Sequence, residues 1–353
     1  MRTRLSLGLL AALIWSCHST EPNNIIALSG DWAFAIDSLD RGEEERWFTR
    51  FFDETVSLPG SMATNGKGNR VTTQTQWTGG IRDPQWFTDP HYAPYQPPEG
   101  DSILFPFWLQ PIREYTGAAW YQRKISIPNN WEERRTILNL ERCHWESTVW
   151  IDDQEVGTQN SLSTAHLYDL TPYLDAGEEQ TLSIRIDNRI KIDVGENSHS
   201  ISDHTQSNWN GIVGGIFLEN QSPVYFSNLQ LYPNASNQTV TMKGSIVHPS
   251  SQISTLQLTA KMSGVNFNQP FNEQTFSLEA NEGNTEFEFE YTLSDEVRPW
   301  DEFQPNLYEI SLSIEGGEER TEVIGFRTIT VKNRQFLIND RLSFLRGTLE
   351  CAI

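Results

Sequence analysis

Cysteine is nearly absent, with three in 353 residues at positions 17, 143 and 351. So few thiols exclude a disulfide framework as the source of stability. Cys143 and Cys351 lie far apart, and each reads as a small buried hydrophobe. Cationic residues are also scarce. Lys and Arg number 26 against 47 Asp and Glu, a formal net charge of -21. A nucleic-acid backbone or an anionic membrane surface requires clustered Lys and Arg, so nucleic acid is excluded as a partner. The acidic balance fits a neutral or weakly polar ligand. No apolar run reaches the ~20 residues of a membrane-spanning helix. His166, His199 and His204 show no repeated ligand spacing, so no metal and no cofactor are expected. Tandem repeats are missing too, which argues against a structural adhesin.

What is present suffices for ordered cores: 37% hydrophobic residues, 11% aromatics and 12 Trp. The length predicts two or three domains. At the N-terminus, Arg2 and Arg4 precede an apolar run from Leu5 to Trp15. Residues 1–17 therefore read as a signal peptide. Ile14-Trp15-Ser16-Cys17 is similar to a bacterial lipobox, which makes Cys17 the expected lipidation site and residues 18–24 a polar tether. The expectation is an exported bacterial lipoprotein, periplasmic or at the cell surface, held to the membrane through Cys17.

Beyond the tether the period is that of strands. Phe287, Phe289 and Tyr291 alternate with Glu286, Glu288 and Glu290, so rings take one face and carboxylates the other. Leu256, Leu258, Ala260 and Met262 alternate likewise, as do Leu182, Ile184 and Ile186. Ile310, Leu312 and Ile314 run into Gly316-Gly317, a hairpin signal. No long stretch has clean helical periodicity. Short strands punctuated by Gly, Pro, Asn and Asp predict an all-β chain of antiparallel sandwiches. Breaks at Glu219–Pro223 and at Val331-Lys332-Asn333 divide it into residues 25–222, 223–332 and 333–353. In the last, Phe336–Asp340 predicts a hairpin, and Phe344–Gly347 a buried strand.

Several phrases recur in a telling order. Ser29-Gly30-Asp31-Trp32 comes first, then Val56–Met62, Gly117–Tyr121, Val149–Asp153, Tyr168–Thr171 and Ile186-Asp187-Asn188. Asn208-Trp209-Asn210-Gly211 through Ile216 closes the series, and Pro305–Tyr308 and Gly325-Phe326-Arg327 follow. Together they resemble glycoside hydrolase family 2, which includes bacterial β-galactosidases, β-glucuronidases and β-mannosidases. The resemblance implies a jelly-roll sugar-binding-type domain over 25–222 and an immunoglobulin-like sandwich over 223–332. It also implies only the first strand of a (β/α)8 barrel over 333–353, the chain stopping as that catalytic domain begins.

The family's chemistry is hydrolysis of β-linked glycosides with retention, using two glutamates on later barrel strands. No residue here matches them, so no catalytic residue is assigned. The expectation is the non-catalytic front portion of an exo-β-glycosidase, inactive alone. The alternative is a free-standing surface lipoprotein that binds carbohydrate. In relatives, the region matching Asp203–Asn210 can reach the barrel's pocket, which makes Asn208, Trp209 and Asn210 substrate-binding candidates; packing of Trp209 against the barrel is the alternative reading. Glu350 is a fourth, at the end of the expected barrel strand; the bland reading there is a strand-end carboxylate neutralised by Arg346. Asp152-Asp153 occupies a hairpin turn and reads as turn chemistry. Trp77, Trp86, Phe87, Tyr92, Tyr95 and Trp108, in the long segment 66–111, form either a sugar surface or a loop packed by its own rings.

Overall fold

The computed structural model describes residues 24–72, 75, 89–95, 111–193 and 208–348. Cys17, Glu350, Cys351, His199, Asp203 and His204 lie outside them, as do most of the aromatics of segment 66–111.

The first domain contains β1 (Ile25–Ala27), β2 (Gly30–Asp37), β3 (Glu54–Leu58), β4 (Gly60–Ser61), β5 (Asn69–Arg70), β6 (Arg113–Glu114) and β7 (Ala118–Ser126). It continues with β8 (Arg135–His144), β9 (Glu146–Ile151), β10 (Gln154–Gln159), β11 (His166–Asp169), β12 (Glu179–Asp187) and β13 (Gly211–Gln221). One sheet runs β1-β13-β8-β11, with β4 also paired to β13; the other runs β10-β9-β12-β7-β2-β3. Every pairing is antiparallel, and the two sheets enclose one core that includes Trp32, Phe34, Tyr121, Trp131, Leu138 and Leu218. This is the expected sandwich. Asp152-Asp153 forms the β9–β10 turn, with Asp152 in the left-handed region at φ 52°.

β12 shows why this domain is more than an alternating sandwich. Leu182, Ile184 and Ile186 face the core, while Ser183, Arg185 and Asp187 face the other way. An antiparallel sheet commonly leaves that second face to water. Here all six residues are buried. Residues 38–53 fold back across the outer face, where Phe48 packs with Trp120 and Trp150. Phe48 and Trp150 stack at 5.4 Å, and Trp120 and Trp150 lie 4.9 Å apart. Burying each ring is worth roughly 1.5–3 kcal/mol. Gln122 Nε2 donates to the Trp47 carbonyl at 3.1 Å and seals the polar seam. Gly42 permits the close approach: a Cβ there would sit 2.3 Å from Trp120 Nε1.

The second domain is built from β14 (Tyr225–Asn234), β15 (Thr239–His248), β16 (Ser254–Gly264), β17 (Gln274–Ala280), β18 (Gly283–Thr292), β19 (Tyr308–Ile314) and β20 (Glu319–Ile324). Sheets β14-β15-β18 and β17-β16-β19-β20 face each other. The alternating positions read from the sequence supply the core, including Leu258, Met262, Phe287, Tyr291, Ile310 and Leu312. Arg135 of β8 stacks on Tyr225 of β14 at 3.6 Å, bridging the first domain to the second.

A small sheet follows: β21 (Ile329–Lys332), β22 (Gln335–Ile338) and β23 (Arg341–Leu342). The expected hairpin is there, turning through Asn339 and Asp340, both at positive φ. The expected buried first barrel strand is not. Residues 343–348 form no strand, and Phe344 and Leu345 are exposed at 82% and 66%. A strand exists only where a neighbour satisfies its backbone, and none pairs with this segment among the described residues.

Candidate functional site

The Asn208-Trp209-Asn210 candidates lie at the corner where β12 ends and β13 begins. Asn210 is buried, and its amide is fully engaged. Its Nδ2 donates to the carbonyls of Gly117 and Ile186, both at 2.9 Å, while Oδ1 accepts from Tyr121 Oη at 2.9 Å. Asn208 is buried beside it; its Nδ2 donates to the Asn188 carbonyl, and its Oδ1 accepts from Asn188 Nδ2, each at 3.1 Å. Asn188 completes the clamp, accepting from Gly117 N and donating to the Tyr115 carbonyl, both at 2.8 Å. Three asparagines thus stitch together residues 115–117, 186–188 and 208–210. Five of these seven bonds satisfy backbone groups, and a buried one left open would cost about 1–3 kcal/mol.

The clamp uses Asn208 and Asn210 for architecture and leaves Trp209 as the candidate whose side chain stays partly open. Its ring lies 4.9 Å from that of His144, which a cis peptide joins to Trp145. Gly211, at φ +148°, lets β13 approach β4; a Cβ there would meet the Gly60 carbonyl at 2.5 Å. Asn188 and Gly117 escaped the sequence reading as site residues. Gly117 and the phrase Ile186-Asp187-Asn188 were noticed, but partners 71 residues apart in the chain leave no local spacing to read.

Beside the clamp lies a charge cluster. Asp187 has no exposed surface, yet its carboxylate meets Arg189 Nε at 2.9 Å, Lys191 Nζ at 2.7 Å and Arg185 at 3.4 Å. Asp40 accepts from both Arg185 and Arg189 at 2.6 Å, and Glu146 pairs with Lys191 at 2.7 Å. Burial alone would raise the Asp187 carboxyl; the hydrogen bonds from Arg189 and Lys191 outweigh it and hold the group well below the usual carboxylate range. Asp40 is lowered in the same way, burial being outweighed by Arg185 and Arg189. Asp37 accepts from the backbone of Arg41 and Gly42 and from Trp120 Nε1 at 3.1 Å. The cluster pins residues 37–42 and 185–191 to one sheet face.

A third group resembles a nucleophile and base. Ser147 Oγ lies 2.6 Å from His166 Nδ1 and 2.7 Å from Tyr168 Oη. Ser147 and His166 have no exposed surface, so no substrate reaches them. Burial pushes the His166 imidazolium down, against the hydrogen bond to the Ser161 carbonyl, and favours the neutral ring. Neighbouring Cys143 is a free buried thiol, pushed up to about 12 by burial and so inert as a nucleophile. The group is a polar tie within the core. No grouping of three or more His, Cys, Asp or Glu able to hold a metal occurs among the described residues.

Comparison with known proteins places these features in a family. Residues 94–223 match the model described as glycosyl hydrolases family 2, sugar binding domain, and residues 224–327 match the adjoining model described as glycosyl hydrolases family 2. A putative beta-glucuronidase of Formosa agariphila is 23% identical over 66% of this chain and 22% of its own length. A beta-galactosidase of Arthrobacter sp. (strain B7) is 22% identical over 91% of this chain and 29% of its own. Among solved structures, a beta-glucuronidase of Bacteroides uniformis superposes with a TM-score of 0.64 at 18% identity, covering 92% of this chain and 35% of that one. One of Ruminococcus gnavus gives 0.60 at 16% identity, covering 92% and 47%. The chain spans less than a third of the length of these two sequence relatives.

Proposed function

This chain belongs to glycoside hydrolase family 2, and from that premise we propose that its two sandwiches are the non-catalytic portion of a retaining exo-β-glycosidase that breaks down β-linked carbohydrate. The observation carrying this reading is the state of the clustered carboxylates. Retention needs two carboxyl groups ~5–5.5 Å apart on either side of the scissile bond, one with a raised pKa so that it can protonate the leaving group. Asp40 and Asp187 are both lowered and spend their oxygens on arginine and lysine. Neither can therefore serve as the raised-pKa acid, and Asp187, with no exposed surface, cannot reach a sugar as nucleophile. Catalysis belongs to another domain, and the clustered charges here are scaffold.

The small sheet β21–β23 supports the same reading. Ile329, Val331 and Phe336 share one face and remain 55%, 65% and 48% exposed. Contiguous apolar surface of this kind marks an interaction site, and the occupant proposed for it is the catalytic domain. Trp209, partly open at the Asn clamp, is the candidate for sugar contact across that boundary; Glu350 is proposed as a supporting residue there. Cys17 is proposed as the lipid anchor of an exported protein, periplasmic or on the cell surface.

The test is direct. The purified 353-residue protein should release no chromophore from aryl β-glucuronides, β-galactosides or β-mannosides, and clear turnover of any of them would overturn the scaffold assignment. The anchor is tested by metabolic labelling with a fatty acid, which the wild-type chain should take up and the Cys17→Ala variant should not.

A further inference from the structure

The outer face of the first domain carries a groove apart from the Asn clamp and the charge cluster. It has a volume of about 230 Å3 and runs between residues 48–51 and the Asp152-Asp153 turn, with Thr181 in its floor. Phe51 stands at its rim, 89% exposed. A lone exposed ring on a protein surface needs no explanation. Phe51 differs because the residues lining the groove beside it make defined contacts. Phe48, three residues before it, is stacked on Trp150. Arg50 is tied to Glu45 at 3.3 Å and lies over the Trp47 ring. Asp152 accepts from Thr181 N at 2.8 Å and from Gln180 Nε2 at 3.3 Å. Asp153 meets Arg46 at 3.4 Å on the open side. An open ring thus lines one groove with carboxylate acceptors and a guanidinium donor.

We propose that this groove is a carbohydrate-binding subsite that takes one ring of a neutral β-linked polysaccharide. An apolar ring face packs on the C–H face of a pyranose, and Asp153, Arg50 and the remaining capacity of Asp152 hydrogen-bond its hydroxyls. The size is smaller than the ~300–1,000 Å3 of pockets that enclose a drug-sized ligand, so one sugar unit enters and the rest of the chain stays in solvent. Charge selects the sugar. Arg50 and Arg46 offset the Asp152 and Asp153 carboxylates locally, so the selection comes from the chain's net charge of -21, which disfavours a polyuronate and leaves neutral polysaccharides as ligands.

The inference rests on the reading that the protein works on carbohydrate, yet it fails independently of the scaffold assignment. Affinity electrophoresis of the purified chain in gels containing soluble β-linked galactan, mannan, xylan or glucan is the experiment, with a polyuronate as charged control. Wild-type protein should be retarded by at least one neutral polysaccharide, and Phe51→Ala should weaken that retardation at least tenfold. Asp153→Ala should weaken it less. Because Phe51 is exposed, the variant should keep the wild-type circular dichroism spectrum and melting curve. Retardation by none of the neutral polymers, equal retardation of wild type and Phe51→Ala, or stronger retardation by the polyuronate would each overturn the proposal. Hydrolysis of aryl glycosides, by contrast, bears on the scaffold assignment and leaves the groove untouched.

Discussion

The two sandwiches of this chain solve the same packing problem with different chemistry. The second, over β14–β20, is apolar inside and polar outside; Thr239, Ser245 and His248 are its buried polar residues among those described. The first buries Asp37, Arg185, Asp187, Asn188, Asn208, Asn210, Ser147 and His166, and also five tryptophans, at 32, 120, 131, 145 and 150. Burying a charge is costly unless it is paired and hydrogen-bonded. The first domain therefore requires networks where the second needs only volume. Those networks hold the segments that enter and leave the sheets at the Asn corner, where Trp209 stands partly open. Polar cost is concentrated where segments must be positioned, and plain hydrophobic packing serves where they need only be supported.

The largest expected effect tests whether the two cores are separate. Phe326 is fully buried, edge-on to Tyr308 at 5.2 Å. Phe326→Ala should destabilise the second sandwich by about 3–5 kcal/mol, as expected for removing a core ring. The five buried tryptophans named above all report on the first sandwich and dominate the signal over Trp300, which bonds to Phe326 in the second. Denaturant unfolding followed by tryptophan fluorescence should therefore keep its midpoint while the far-ultraviolet dichroism transition moves earlier. Equal shifts of both signals would mean that the cores unfold as one.

Next in size is Asp187→Asn. Removing one partner from a buried ion pair costs ~3–5 kcal/mol, and about 2–3 kcal/mol is expected here because Arg185 keeps Asp40 and Glu43 while Arg189 is partly exposed. The loss should appear in the fluorescence transition, leaving the second sandwich in place. An unchanged fluorescence midpoint would show that the cluster is only a surface network.

The smallest effect is a pH dependence confined to one domain. His166 is lowered from the ordinary histidine value of 6.5, chiefly by burial. Its contribution to stability is fully present above pH 6.5 and is lost as pH falls through the gap to the folded value, because the unfolded chain takes the proton first. The first sandwich should weaken as pH falls below 6.5 while the second holds constant, and His166→Gln should remove that slope. Asp187, also lowered, adds a separate loss that begins only below its ordinary value of 3.8. A slope shared by both domains above pH 5 would remove His166 as its cause.

The second sandwich was nearly all legible. Phe287, Phe289 and Tyr291 alternate with glutamates, and β18 presents them to the core or its margin as that period requires. Gly316-Gly317 lies in the turn between β19 and β20. β12 was legible only by half. Its apolar set was visible, but the burial of Ser183, Arg185 and Asp187 was not, because the residues covering them lie more than a hundred positions earlier. At the candidate site, the Asn208–Gly211 phrase was recognised as important while its role was not. Asn210 reads as a polar group near a pocket; in the fold it bonds to Gly117, Ile186 and Tyr121. Phe344 and Leu345 were read as a buried strand from their hydrophobicity and from the resemblance to the family's barrel entry, and neither supplies a pairing neighbour.

The sequence by itself determined the class of this protein. Period-two alternation, turn residues and the ordered phrases from Trp32 to Phe326 are local or additive signals, and they specify antiparallel sandwiches of the family. Only the tertiary structure decided which side chains are scaffold and which stay open to solvent. Asn208, Asn210 and Asp187 were drawn inward, while Trp209 and Phe51 were left accessible. The physical reason is that a side chain's availability depends on what covers and satisfies it, and those partners come from distant parts of the chain.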